Sequence, residues 1–402
     1  MIPAVTKLVL AAWLLLGIAA CAHPERVPAV PQDKAGVAEI PGMPGVRYRT
    51  DDMDLLIEDA VAAYRREVAW RKKQGESGDL PQAEYLAISG GGDNGAFGAG
   101  LLLGWTKAGN RPQFKLVTGI STGALTAPFA FLGPDYDDDL KEVYTTISPA
   151  DILRSRGFLA AINNDAKADN APLWQVVRRY ATQDLLEAIA REHERGRMLL
   201  VGTTDLDTRT GVIWNMGKIA ASGHPDALKL FHSILIASAA IPGAFPPVMF
   251  DVEADDRRYQ EMHVDGSVMA QVFVYPTALS PLEAAKEHGI AQRKRRLYIL
   301  RNARLDPDWA SVDRQTISIA ERSITTLIQT QGVASLFWIY AVTQRDDVDF
   351  NLAFIGPEFD TPKEYEFDTA YMNALFDYGF KLGTAGYPWR KTPPGLAARS
   401  RP

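Results

Sequence analysis

Twice within about fifty residues the sequence passes from a short, mostly apolar run through a glycine-bearing turn into a longer apolar run. EYLAI (84–88) leads through SGGGDNG into AFGAGLLLGWTKAG (96–109), and FKLVTGI (114–120) leads straight into STGALTAPFAFLG (121–133). Short apolar runs bounded by glycine read as buried strands, and the longer ones as helices. Two strand–turn–helix units in succession favour an α/β chain with a mainly parallel sheet covered on both faces. The rest of the sequence extends the pattern. Helices are predicted over 51–75 and 225–240, strands over 197–208 and 211–217 with a tight turn between them, and further strands at 259–264, 296–302 and 350–355. The apolar stretch 323–344 is broken by Thr325, Thr326, Gln329, Gln331 and Gly332, which predicts a buried core helix rather than a membrane span.

The formal net charge is −6 over 402 residues, so no basic excess is available for binding nucleic acid. The densest basic run, RKRR at 293–296, directly precedes LYIL and reads as the solvated flank of a strand. At the N-terminus, Lys7 is followed by LVLAAWLLLGIAA, too short to span a bilayer comfortably and of the right length for a signal peptide over residues 1–20. Cys21, the single cysteine, follows directly. The stretch GIAAC resembles the lipobox of bacterial lipoproteins, which implies cleavage before Cys21, lipidation of its thiol and a membrane anchor. Ala22, where an acidic residue would retain such a protein, implies by the same resemblance the outer membrane. Five prolines between residues 22 and 50 predict a semi-extended tether over 21–50, with the folded part over 51–402.

In the first glycine loop, Gly90, Gly92 and Gly95 satisfy G-x-G-x-x-G, so three ligands compete: a dinucleotide, a nucleotide phosphate and an oxyanion. A dinucleotide needs an acidic residue at the end of the next strand, where Ser121 stands instead. A phosphate-binding loop needs Gly-Lys-Ser/Thr, which is missing. The second turn, TGISTGAL, contains Gly119-x-Ser121-x-Gly123 between a strand and a helix, the context in which a serine hydroxyl is held above a sheet. The first loop then reads as an oxyanion hole, with backbone amides of Gly91, Gly92 and Asp93 facing a tetrahedral intermediate. No histidine stands in an obvious catalytic context; His263 comes close to one and reads as a packed or surface residue rather than a catalytic one. Asp265-Gly266, in MHVDGSVMAQ (262–271), places a carboxylate at a strand end, and Asp205 with Asp207 reads as a strand-to-turn transition with no metal implied.

Together GGGDNGAFG, GISTG, HVDGS and ILIASAAIPGAFPPV (234–248) resemble the patatin-like phospholipases over residues 84–276. The resemblance implies a three-layer α/β/α sandwich, a lipid or phospholipid substrate, acyl-ester hydrolysis without a cofactor, and a Ser-Asp dyad. It assigns Ser121 as nucleophile, Asp265 as its base, and Gly90, Gly91, Gly92 and Asp93 as the oxyanion loop, with Asn94, Gly95 and Gly266 in support. This sequence departs from the family pattern at Asn94, where Arg or Lys is usual, and at Ser267, where Gly or Ala is. Asn94 motivates a second reading, a non-enzymatic lipid- or partner-binding lipoprotein of the same fold. Acyl transfer to an acceptor other than water would use the same residues. Residues 277–402 carry no recognisable motif.

Overall fold

A computed structural model describes residues 26–155, 165–166, 168–275, 280–306 and 309–396, without the side chains of residues 282, 317 and 321. The expected signal peptide, residues 1–20, and Cys21 lie outside the described residues. The central sheet is built on five parallel strands: β2 (Ala83–Ile88), β3 (Leu116–Gly119), β6 (Met198–Asp205), β10 (Arg295–Arg301) and β11 (Val348–Phe354), in the order β6-β3-β2-β10-β11. Beyond β6 the sheet turns antiparallel through β7 (Thr210–Asn215) and β1 (Arg47–Arg49), while β9 (Arg257–Asp265) pairs with the far end of β6 and β8 (Val248–Ala254) with β9. A separate two-stranded ribbon joins β4 (Arg154–Ser155) to β5 (Ala168–Asp169). The sheet is therefore mixed. Its parallel core follows the sequence reading, and the antiparallel half arises because β6–β7 and β8–β9 are connected by tight turns, which cannot return a chain parallel to itself.

Helices cover both faces. On one lie α2 (Gly95–Lys107), α3 (Thr122–Leu132), α4 (Ala227–Ser238) and α6 (Thr369–Thr384), packed on Leu86, Ile88, Val117, Leu199, Val201 and Leu300. On the other lie α1 (Asp54–Lys73), over Met198, Leu200 and Ile213, and α5 (Thr316–Arg345), over Ala87, Leu297, Ile299 and Phe350. Alternation along each strand thus sends successive side chains to opposite layers, and each buried Leu or Ile contributes about 1.5–3 kcal/mol. Residues beyond 277 are integral to this core: β10 and β11 are sheet strands, and α6 packs backbone to backbone on α2 where Gly100 and Gly104 face Gly379 and Gly383.

Two sequence expectations change here. From Arg26 on, the segment expected to be a tether lies against the domain. Arg26 Nη1 donates to Asp207 at 2.8 Å, Pro28 accepts from the Gln260 amide, and Arg47 in β1 forms a buried bidentate pair with Glu261. The prolines do not prevent this, since residues 26–46 need few ladder hydrogen bonds, and Arg-Tyr-Arg alternation turns Tyr48 into the core. The second change concerns α5. It runs 30 residues, and only its C-terminal half is a core helix, with Leu336, Ile339 and Val342 buried; no described side chain between residues 316 and 330 is.

Candidate active site

Ser121 sits between β3 and α3 with φ 56° and ψ −126°. This is the conformation of the first central residue of a type II′ turn, which ordinarily belongs to glycine. Close packing holds it there: side chains at Gly119 and Gly123 would strike, respectively, the Gly123 carbonyl and that of Ile88 on the neighbouring strand. The Ser121 amide donates to Ser238 Oγ at 3.0 Å, and Ser238 Oγ donates to the Gly202 carbonyl at 2.7 Å. Ser121 is buried, at the N-terminus of α3, where the helix dipole favours negative charge.

Asp265 ends β9 beside Ser121 and is fully buried. Its amide donates to the Ala240 carbonyl at 2.9 Å, and its Oδ1 accepts from the Ser267 amide at 2.7 Å. Oδ2 has no partner at full hydrogen-bond geometry, although the Ser121 hydroxyl lies close enough to favour the ionised form. We read this as a loose contact, the kind that tightens when a substrate fills the site. Burial raises the Asp265 pKa to about 6 against the opposing pull of the Ser121 hydroxyl and the Ser267 amide and hydroxyl. A bare aspartate near 3.9 is a feeble base at neutral pH; this one is close to the operating range. Ser267, a departure from the family pattern, thereby helps to keep the carboxylate ionised.

The glycine loop lies against both residues. A Cβ at Gly90 would stand 3.2 Å from the Ser121 Cβ and 3.3 Å from Gln271 Oε1, tighter than ordinary packing, so glycine here lets the backbone lie close to the serine. The Gly90 amide itself is taken, donating to the Gln271 carbonyl at 3.0 Å, so Gly90 leaves the set of expected oxyanion donors. The amides of Gly91, Gly92 and Asp93 donate to no acceptor among the described residues, in keeping with their place ahead of and within the first turn Gly92–Asn94. Gly92 has φ +57°, and a side chain at Gly91 would run into the Asn302 carbonyl. Gly95 packs on Thr122 and Tyr144, and Gly266 on the Gly202 carbonyl, which brings the two turns and the Asp265 strand together.

Side chains that the sequence left unassigned hold this loop. Asn302 donates to the Ser89 carbonyl, accepts from the Gly98 amide at 3.1 Å and gives its own amide to Ser89 Oγ. The Asp93 carboxylate points away from the amides, toward Lys363 and the Phe367 amide; burial raises its pKa despite Lys363. Asn94 Oδ1 accepts from the Tyr371 hydroxyl at 2.7 Å, so the residue that replaces the family's cation serves as a tether to α6. Ser238 and Ala240 stood within the block 234–248, and only the fold shows that one reaches Ser121 and the other Asp265. Ser238→Ala would leave a buried amide without an acceptor. We expect a loss of about 1–3 kcal/mol in unfolding free energy, together with a lower kcat, and denaturant melts with steady-state rates check both.

Below Asp265, Asp205, Glu261 and His263 bring one ligand-type atom each within 4.8 Å of one another. Their atoms are engaged by protein partners: Thr208 and the Asp207 amide on Asp205, Arg47 and His263 Nε2 on Glu261, Thr203 at His263 Nδ1. Burial pushes the Glu261 pKa up, yet the His263 hydrogen bond and the Arg47 charge together hold it at about 2. His263 is fully buried, its ring 4.8 Å from that of Phe250, as expected of a packed histidine.

No curated protein matches the chain in sequence. Among solved structures, VipD from Legionella pneumophila is similar at 12% identity and a TM-score of 0.37, over 76% of this chain and 67% of that one. Human GIVD cytosolic phospholipase A2 is similar at 10% identity and a TM-score of 0.30, over 75% of this chain and 54% of its own, so the chain spans about half of that protein. Residues 86–277, from the first core strand to just past the Asp265 turn, match the family model Patatin, patatin-like phospholipase, and form a domain of the patatin fold.

Proposed function

We propose that the protein is a serine hydrolase of lipid acyl esters, of the phospholipase A or general lipid acyl hydrolase type. One observation carries this reading: a serine in a glycine conformation stands beside a buried aspartate whose pKa is lifted to about 6, next to the unengaged amides of a glycine loop. Ser121 Oγ attacks the acyl carbonyl as its proton passes to the Asp265 carboxylate. The oxyanion forms against the amides of Gly91, Gly92 and Asp93. Collapse of the tetrahedral intermediate expels the alcohol, which takes the proton from Asp265, and leaves an acyl ester on Ser121. Water, deprotonated by Asp265, then releases the carboxylic acid.

The sequence before Arg26 supports a second part of the proposal. The protein is lipid-anchored through Cys21 after removal of residues 1–20 and resides in a bacterial envelope, on the outer membrane. Palmitate incorporated by the parent, largely released by mild alkali, and missing from Cys21→Ser tests it.

The rate should fall on the acid side. Asp265 acts as the carboxylate, so kcat/KM on a soluble short-chain ester is expected to drop tenfold per pH unit below an apparent pKa near 6 and to level off above it. A profile with its acid limb near pH 4 would mean that the base is not this buried carboxylate. Hydrolysis of phospholipid vesicles and of that ester by the parent, lost in Ser121→Ala, tests the reaction class. No hydrolysis of either by a folded parent would favour the non-enzymatic reading.

A further inference from the structure

We infer that the N-terminal half of α5, with the turn after Asp265, is the surface by which the domain settles on a lipid layer, so that the layer meets the sheet edge carrying Ser121. The inference rests on the lipid-hydrolase reading for its choice of occupant and on the following geometry for its place.

The parallel strands run toward one edge. β3 leads there into Ser121, β10 ends there at Arg301, and β9 comes back from β6 to place Asp265 there. At this edge Arg301 Nη2 donates to Gln329 of α5, and Gln331 Nε2 donates to the carbonyls of Val268 (3.1 Å) and Met269 (2.8 Å), three and four residues past Asp265. From that crossing α5 descends along the sheet to Arg345, shortly before β11 starts at Val348. Its other end, Thr316 to Ile328, therefore projects beyond the edge by about 20 Å at 1.5 Å per residue.

The projecting part has the wrong surface for water. Between residues 316 and 328 the sequence carries only two charged residues, Glu321 and Arg322, and Ile319, Ile324 and Leu327 are exposed, Leu327 to 69%. Val268 and Met269 are exposed beside the Gln331 clamp, Trp309 precedes the helix at 89% exposure, and Trp338 borders an open groove of about 290 Å³ between α5 and residues 269–275. More than half of the exposed large apolar side chains of the described residues lie between 268 and 338, although this is about a fifth of their number. A helical stretch of this length without a packed face is marginal in water. Exposed apolar area of this extent marks a docking surface. Tryptophans bordering a sparsely charged helix suit the interfacial zone of a bilayer, and none of the described helices is long and apolar enough to cross one.

Lipid is favoured over a protein occupant because this face is continuous with the Asp265 turn. A protein sealing it would close the edge at which a membrane-borne ester must reach Ser121. The chain also arrives at this edge, since Arg26 pairs with Asp207 just past the end of β6, which runs parallel to β3. An anchor upstream of Arg26 would thus pull the same edge toward the membrane.

The test uses the full chain with Cys21→Ser, carrying either Leu327→Cys or, at the opposite end of the sheet, Lys286→Cys, labelled with an environment-sensitive nitrobenzoxadiazole. On phosphatidylcholine–phosphatidylglycerol vesicles the label at 327 is expected to blue-shift and brighten, and the label at 286 to keep its aqueous spectrum. In parallel, Ile324→Asp with Leu327→Asp is expected to lower phospholipid-vesicle hydrolysis at least about tenfold and to leave soluble-ester hydrolysis unchanged, because the cost is paid at the surface. A 327 label that stays aqueous on vesicles, in protein that still cleaves the soluble ester, overturns the inference and leaves the hydrolase reading standing. A 327 label already shielded without lipid, in a species that sediments as a dimer, overturns it in favour of a second copy. A 327 label that enters the layer in protein that cleaves neither substrate upholds the surface and overturns the hydrolase reading.

Discussion

Asp265→Asn is expected to abolish turnover and to make the protein more stable. The loss follows from the proposed mechanism: an amide takes no proton from Ser121, and loss of a positioned base costs at least about a thousandfold. The gain follows from burial. The Asp265 carboxyl has its pKa raised to about 6 in the fold and returns to about 3.9 when unfolded, so the folded state holds the proton more tightly. Between pH 4 and 6 the unfolded chain loses this proton first. Stability therefore falls as pH rises through this window and stays lowered above it. Asparagine removes that penalty, although its new N–H must find an acceptor near Ser121. We expect a net gain of about 2 kcal/mol at pH 7 that shrinks to nothing by pH 4. Chemical denaturation of both proteins at pH 4, 6 and 8 checks it; a variant less stable than the parent at pH 8 would show that the buried carboxylate is compensated by partners not seen here.

Ser121→Gly should behave in the same double way. The hydroxyl is the proposed nucleophile, so acyl transfer stops. The backbone at φ 56°, ψ −126° costs a residue with a side chain about 1–3 kcal/mol, a strain that glycine does not carry. Glycine gives back part of the difference as extra freedom of the unfolded chain, about 0.5–1 kcal/mol. A net stabilisation of about 1 kcal/mol is expected, whereas Ser121→Ala, with its Cβ retained, should be inactive and close to the parent in stability. If glycine and alanine melt together, the turn is not strained. Asp265→Asn and Ser121→Gly express one idea, that this site holds reactive groups against the preference of the fold.

The sequence carried the site further than it carried the fold around it. Gly119, Ser121, Gly123 and the Gly90–Gly95 loop were legible because a strand-to-helix turn and a close backbone approach each demand particular residue types. Asp265 was legible through the glycine after it and through resemblance. Donor by donor, however, the loop was not: which of four amides remain free depends on Gln271, more than 180 residues away, taking the one at Gly90. Ser238 and Asn302 look like any buried polar residue until the fold brings them to Ser121 and Ser89. β1 was hidden because three residues among prolines carry little periodicity, and their pairing partner β7 is distant in sequence. α5 departs from its sequence expectation for a different reason. Its apolar residues resemble a core face, and in half of the helix there is no core to meet.

The central claim is that Ser121 is a nucleophile activated by Asp265. The most direct measurement is the intact mass of the protein after exposure to a long-chain alkyl fluorophosphonate, followed over time between pH 4 and 8. One adduct per chain is expected, located on the peptide containing Ser121, absent from Ser121→Ala, strongly slowed in Asp265→Asn, and forming at a rate that declines below pH 6. An unmodified folded protein, or modification at the same rate in Asp265→Asn as in the parent, would contradict the account.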